Sequence, residues 1–338
     1  MKSYDVVLIP GDGIGPEVAD AAREVLDAAG INIRWQVFDA GIRAQEKGKE
    51  TLPPELLEVV RETGAALKGP LTTPVGSGFT SVNVRLRREL GLYANLRPVK
   101  TLPGTRSLYP DVDLVVVREN TEGLYIAEET WEDNNTVSAV KRVTREASAR
   151  IARFALEYAR QHGRQSITTV HKANILKESD GLFLTTARDA AADYPEITFK
   201  DRIVDALCMD LVLDPGTHDL LLCPNLYGDI LSDLAAGLVG GLGTVPGANL
   251  GEGCAVFEAV HGSAPDIAGR GIANPTALIL AGAMLLRYLG EEEAAARVEK
   301  AVHAVYATGE ISTPDQGGSA TTDQFSRALI RFFDENHF

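Results

Sequence analysis

The chain predicts an α/β fold whose mainly parallel sheet is covered by helices on both faces. Two observations carry this: short apolar runs alternate with segments of helical periodicity, and Pro or Gly marks the junctions between them. Asp5-Val-Val-Leu-Ile9 reads as a buried strand. Pro16 then opens a helix with Val18, Ala21, Ala22, Val25 and Leu26 on one face, ended by Gly30. A strand over 33–38, a helix over 54–62 stopped by Gly64 and a strand over 65–68 repeat the pattern. The Gly/Thr/Pro-rich run 69–80 is a loop, 81–90 a helix, and 112–117 a strand bounded by Asp111 and Arg118. From Tyr125 to about Thr144 the chain is polar, with a turn-like Trp131–Thr136 between 126–130 and 137–143, so it reads as a projecting hairpin arm. An arm that cannot bury itself clasps a partner.

Helices over 145–162, 179–194 and 205–213 alternate with strands over 166–171, 198–204 and 219–223, and a further helix starts near Asn225. The Gly-rich segment 240–253 reads as a crossover back to the first domain, followed by a strand over 254–258. Helices over 275–289, 291–308 and 322–335 close the chain, and no internal repeat is visible.

At 338 residues, 45% hydrophobic and 24% charged, the chain can bury a core and form two domains, or one with a large insertion. A net charge of -14 argues against nucleic acid or an anionic membrane surface as partner, because both require a basic face. An anionic substrate must then be met by a local basic cluster. Cys208, Cys223 and Cys254 have neither disulfide nor zinc spacing and read as reduced thiols in a cytosol-like compartment. The N-terminal apolar run is too brief for a signal peptide, and Ala277–Leu286 is too short to span a bilayer, so the expectation is a soluble cytoplasmic protein.

Asn225-Leu-Tyr-Gly-Asp-Ile-Leu-Ser-Asp233 places Asp229 and Asp233 four residues apart on one helix face. Like charges at that spacing cost roughly 0.2–0.5 kcal/mol, which invites a cation; for an isolated pair the commoner arrangement is Asp229 at the positive end of the helix dipole with Asp233 facing solvent. Gly11-Asp-Gly-Ile-Gly-Pro16 follows a strand and opens a helix, yet Pro16 stands where a dinucleotide fingerprint needs its third glycine. Those glycines still allow the backbone to approach part of a ligand. Arg85, Arg87 and Arg88 crowd one helix, with Arg97 and Arg118 beyond it; each is either a carboxylate binder or a surface ion-pair partner. Arg118–Tyr125 and His171–Lys177 both follow apolar strands, where α/β sheets place active groups, and Tyr125 and Lys172 are the proton-transferring types within them. The polar loop 261–275 is long enough to wrap a ligand.

Taken together, these motifs resemble the β-decarboxylating dehydrogenases, the family of isocitrate, isopropylmalate, homoisocitrate and tartrate/malate dehydrogenases. The resemblance runs nearly end to end through Ile9–Glu17, Lys68–Pro74, Leu92–Pro98, Arg118–Glu122, Asn225–Asp233 and the 261–275 loop. It implies the two-domain isopropylmalate/isocitrate dehydrogenase-like fold with mainly parallel sheets and a non-Rossmann cofactor site. Residues 1–98 and 247–338 would form the large, cofactor-binding domain, and 99–246 a small dimerisation domain carrying the 125–144 arm.

The resemblance further implies Mg²⁺ or Mn²⁺ on Asp229 and Asp233, with Asp205 reaching across from the other subunit of a homodimer; carboxylate oxygens suit such hard ions. Lys172, also from the partner, would take the substrate hydroxyl proton, and Tyr125 would return a proton after CO₂ loss. Arg87, Arg97 and Arg118 match the family's carboxylate-binding arginines, whereas Arg85 and Arg88 receive no role. The family reads its variable substrate group on helix 81–90, and Ser81 and Asn83 there resemble isocitrate enzymes, with homoisocitrate as the alternative. Cofactor contacts are implied for Thr73, Asn83, Glu258, His261, Gly262, Ala264, Asp266, Ile267 and Asn274. Asp266 can accept from adenosine ribose hydroxyls and would repel a 2′-phosphate, which favours NAD. A regulatory, non-catalytic subunit is the contrasting expectation; such subunits typically lose members of the catalytic set, and this chain retains all of them.

Overall fold

The computed structural model describes residues 2–72 and 81–336. In chain order the strands are β1 (Ser3–Ile9), β2 (Asn32–Val37), β3 (Ala65–Lys68), β4 (Ala94–Lys100), β5 (Asp113–Glu119), β6 (Glu129–Trp131), β7 (Val137–Ala139), β8 (Ser166–His171), β9 (Thr198–Ile203), β10 (Leu220–Cys223), β11 (Pro246–Leu250) and β12 (Ala255–Ala259). The helices are α1 (Gly15–Ala28), α2 (Ile42–Glu46), α3 (Pro54–Thr63), α4 (Val82–Glu89), α5 (Arg145–Gln161), α6 (Ser179–Ala191), α7 (Val204–Leu213), α8 (Asn225–Leu238), α9 (Thr276–Tyr288), α10 (Glu292–Thr308) and α11 (Thr322–Glu335).

Ten strands form one sheet in the order β2-β1-β3-β12-β11-β4-β5-β10-β8-β9. Both ends are parallel, as the alternating β and α units require, but β11 and β4 run antiparallel to their neighbours at the centre. Neither central strand is among the strands expected from the sequence. The supposed crossover contains β11, and the expected domain boundaries fall inside β4 and at the first residue of β11, so a single sheet passes through both. Pro98, Pro246 and Gly247, together with the polar Asn95, Arg97 and Asn249, remove the apolar run by which a central strand is recognised.

Side-chain alternation explains where the site lies. On one face, Leu8, Leu67, Phe257, Ala248, Leu96, Val117 and Leu222 join one continuous apolar core under α1, α5, α6 and α9–α11. On the other face the core is split. Val7, Ile9, Ala66 and Val256 pack with α3 and α4, whereas Val99, Val116, Leu221 and Cys223 pack with α7 and α8. Between the two halves, period-two geometry aims Lys68, Glu258, Asn249, Asn95, Arg97 and Arg118 at the same face. This polar seam is the floor of the candidate site.

The arm is a two-stranded ribbon of β6 and β7, shorter than the sequence suggests because Leu124–Ile126 forms a 3₁₀ turn. Its base is stapled: Glu122 accepts from the Thr144 backbone N–H at 2.8 Å and from the Thr144 hydroxyl at 2.6 Å, and Thr144 in turn caps α5 through the Ala147 N–H. The three cysteines are free.

Candidate active site

A cleft of about 220 Å³ opens on the seam, lined by Lys68, Pro70, Leu71, Ser81, Asn83, Val84, Arg87, Arg97, Arg118, Tyr125, Asp229, Glu258, Ala259, Val260, His261 and Gly262. Ten of the residues singled out from the sequence therefore meet here. Helix α4 contributes Asn83 and Arg87, one turn apart on one face. Arg85 and Arg88 are absent from the lining, so helical periodicity separates the inward arginine from its neighbours.

Strand register assembles the charged floor. Lys68 is paired with Glu258 across β3 and β12, and Asn95 with Arg118 across β4 and β5, which places Arg97 and Arg118 on one face. Glu258 receives Lys68 at 2.7 Å, Arg87 at 3.1 Å and the Asn249 amide at 2.6 Å. Burial pushes its carboxyl up, but Lys68 and Arg87 overcome this and hold it well below the usual carboxylate range. Asn249 accepts in turn from Asn95 at 2.8 Å and Asn120 at 3.1 Å, so two buried amide nitrogens converge on one oxygen, while the Asn95 and Asn120 oxygens have no partner among the described residues. Sequence reasoning gave no role to Lys68, although a lysine ending the wholly buried strand Ala65-Ala-Leu-Lys68 is a recognisable signal.

Arg118 is 1% exposed and is held at Nε and Nη2 by the Asn225 side-chain oxygen, at 2.9 and 2.7 Å, with Nη1 on Asp229. Burial, then the neighbouring Arg87 and Arg97, push the Arg118 guanidinium down to about 10. Gly228 allows this approach, because a Cβ there would lie 2.7 Å from the Arg118 stem. The Tyr125 hydroxyl donates to the other Asp229 oxygen, and burial with that hydrogen bond raises the phenol. Arg97 donates to the Ser232 hydroxyl at 2.5 Å and lies 3.6 Å from Asp229 and 3.5 Å from Asp233. Burial works to raise the Asp229 carboxyl, but Arg118, Tyr125 and Arg97 hold it low. Burial raises Asp233 against the pull of Arg97, and the charge of Asp229 pushes it further.

Lys172 and Asp205 lie elsewhere. They pair with each other at 2.5 Å, 28% and 68% exposed, and neither lines the cleft. Among the described residues, no group of three His, Cys, Asp or Glu side chains within the single chain is placed to hold a metal. Asp229 and Asp233 are hard oxygen donors whose charge Arg97 and Arg118 offset in the single chain, and a divalent cation held there would need further ligands from outside this chain.

The expected cofactor residues divide. Thr73 lies outside the described residues. His261 and Gly262 enter the cleft; His261 Nδ1 faces the Gly262 carbonyl at 3.0 Å, while its Nε2 and the Asn83 side-chain oxygen are buried with no partner among the described residues. Such atoms fit a polar ligand. Farther along the loop, Ala264 adopts a left-handed φ of 35°, and Asp266 is exposed with Ile267 half-buried beside it. Asn274 is turned inward: its amide donates to Tyr306 at 3.0 Å and Asp315 at 2.9 Å and accepts from the Thr276 N–H at 3.0 Å, so its side chain serves the protein and only its backbone remains for a cofactor.

The glycines at 11 and 13 serve the chain itself. A Cβ on Gly11 would come within 2.3 Å of the Pro70 carbonyl, and one on Gly13 within 2.0 Å of the Ser263 carbonyl. Through them Asp12 N–H donates to Pro70 and Ile14 N–H to Ser263, while Glu17 accepts from the Gly271 and Ala273 backbone. This turn clamps both ligand-facing loops and is not itself a phosphate cradle.

The fold and the cleft define a class: a doubly covered α/β protein with an arginine-lined cleft on its sheet, beside paired aspartates. The chain belongs to the isocitrate/isopropylmalate dehydrogenase family, whose sequence model matches residues 5–329. It is 49% identical over 323 residues to the mitochondrial NAD isocitrate dehydrogenase catalytic subunit 5 of Arabidopsis thaliana, covering 95% of this chain and 86% of that one. It is also 49% identical over 329 residues to the 3-isopropylmalate dehydrogenase of Archaeoglobus fulgidus, covering 97% and 99%. The crystal structure of isocitrate dehydrogenase from Methylococcus capsulatus superposes with a TM-score of 0.95 at 50% identity, covering 97% of this chain and 99% of that one.

Proposed function

We propose that this chain is the catalytic polypeptide of an NAD-dependent isocitrate dehydrogenase that oxidises and decarboxylates isocitrate to 2-oxoglutarate. Overall identity does not choose between isocitrate and isopropylmalate, since relatives of both names stand at 49%. The carrying observation is the polar inner face of α4 and its cap. Ser81 and Asn83 line the cleft beside Arg87, and the buried Asn83 side-chain oxygen, without a partner among the described residues, offers an acceptor where an isopropyl group would require an apolar wall.

In this reading the substrate carboxylates replace Asp229 on Arg118 and Arg97, two guanidiniums already stripped of water and held by Asn225 and Ser232. Asp229 and Asp233, freed to face a cation, would hold Mg²⁺ or Mn²⁺ with Asp205 from a second chain; the ion would supply charge stabilisation at the substrate hydroxyl and carboxylate. Lys172 from that second chain takes the hydroxyl proton, and Tyr125, a phenol held protonated, returns one to C3 after CO₂ departs. NAD would accept the hydride, its nicotinamide beside Asn83 and its ribose on Asp266. The presence of Tyr125, Lys172, Asp205, Asp229 and Asp233 favours a catalytic over a regulatory subunit.

A second chain also suits the surface. Met209, Val212 and Leu213 on α7, which carries Asp205, Ile230 on α8, which carries Asp229, and Trp131, Val137 and Val140 on the arm are exposed apolar side chains. A homodimer with shared sites covers them; the relative named a catalytic subunit makes a related second polypeptide the alternative occupant. The free thiols fit a reducing compartment, and that relative's name is mitochondrial. Among the described residues, no helix is long and apolar enough to cross a membrane.

The test is steady-state NADH or NADPH formation by the chain expressed alone, with Mg²⁺ or Mn²⁺, on isocitrate, homoisocitrate and 3-isopropylmalate. The expected result is a kcat/KM for isocitrate with NAD exceeding that for 3-isopropylmalate by on the order of 10³-fold or more. Faster turnover of either alternative, or no NADH from isocitrate, rejects the reading.

A further inference from the structure

Asp180, in the first turn of α6, has no exposed surface and lies outside the cleft, yet its carboxylate joins three elements. One oxygen receives the Lys141 ammonium at the arm base. The other accepts the Lys172 backbone N–H at 2.7 Å and the Tyr227 hydroxyl, from the first turn of α8, at 3.1 Å. On the next peptide, Ala173 N–H donates to His171 Nδ1 at 3.1 Å, so His171 Nε2 is the nitrogen that donates to Asp201, also at 3.1 Å. Two successive N–H groups where β8 ends are therefore fixed by buried side chains. That point is where Lys172 leaves the sheet.

We propose that Asp180 is the positioning residue for Lys172, setting through its hydrogen bond to the Lys172 backbone N–H the direction in which that ammonium projects. This rests on the reading of Lys172 as the proton acceptor. A long, flexible lysine reaching into a site on another chain has only its backbone anchor to define its starting direction, and misplacement by about 1 Å can cost on the order of 10²-fold in rate. Removing the acceptor leaves a buried N–H unsatisfied and lets the strand end rotate.

The decisive pair is D180N/K141M against D180L/K141M. Both variants delete the buried charge pair, and their side chains share the same branched heavy-atom skeleton, but only asparagine can accept from the Lys172 N–H. The expected result is a kcat for D180L/K141M at least about 30-fold below that of D180N/K141M, with isocitrate KM within about threefold, since the cleft arginines are untouched. Equal kcat values overturn the proposal, as does a KM that rises in parallel with the fall in kcat, because that signals a general distortion. K172M run beside them separates the two levels of argument. Near wild-type turnover in K172M removes both Lys172 as acceptor and this inference with it, whereas an inactive K172M with an indifferent Asp180 pair removes this inference alone.

Discussion

D229N is expected to lower kcat on isocitrate by about three orders of magnitude, or about 4 kcal/mol of transition-state stabilisation, while the protein stays folded. Asparagine preserves shape and can still accept from Arg118 or Tyr125, so packing around α8 changes little. The charge does not survive. Burial, with Arg87 and Arg97 close by, already depresses the Arg118 guanidinium, and Asp229 is the carboxylate that contacts Arg118 directly. Asp229 is also one of only two acids that this chain directs at the proposed metal position. Steady-state rates across an Mn²⁺ titration, with circular dichroism to verify folding, measure the effect; a variant retaining more than about a tenth of wild-type kcat at saturating metal contradicts the assignment.

E258A has the largest expected effect on stability. Glu258 is the shared counter-ion of Lys68, 2% exposed, and of Arg87, and its removal leaves both cations buried without compensation. Breaking a buried pair in this way costs about 3–5 kcal/mol, whereas replacing both partners of such a pair by apolar residues is often close to neutral. E258L/K68M should therefore recover the Lys68 share of what E258A loses, while Arg87 stays without its counter-ion. The folded carboxyl is depressed, so its contribution is fully present above the unfolded value of about 4.3 and is lost as pH falls toward the folded value. Wild type should lose stability below about pH 4 more steeply than E258L/K68M does. Urea unfolding at fixed protein concentration, at pH 7 and along an acid series, checks both statements; a loss below about 1 kcal/mol for E258A rejects the seam as a stabilising element.

The parallel ends of the sheet were legible because strands such as Val6–Ile9 and Leu220–Cys223 are continuous apolar runs buried on both faces. The centre was not. β4 and β11 are polar because they carry the floor of the site, and their Asn95–Asn249 bond exists only once the two strands are paired. The same tension between local pattern and function hid Lys68, whose charge is admissible in a buried strand only because Glu258, 190 residues away in sequence, stands beside it. Among the crowded arginines of α4, periodicity alone would have picked out Arg87 as the partner of Asn83. The aspartate pair was visible as a spacing, but its engagement by Arg118, Tyr125 and Arg97 is tertiary. Asp180 left no mark, since an acidic residue in the first turn of a helix is ordinary.

We propose above all that one active site is assembled from two chains: Tyr125 and Asp229 come from one, Lys172 and Asp205 from the other. Co-refolding an inactive Y125F variant with an inactive K172M variant, each folded, measures this directly. Random pairing makes about half of the dimers mixed, and in a mixed dimer with shared sites one of the two sites has both wild-type residues. Activity should return to about a quarter of the wild-type rate. If Tyr125 and Lys172 instead serve the same chain's site, every site in the mixture lacks one of them, and a mixture that stays inactive contradicts the account.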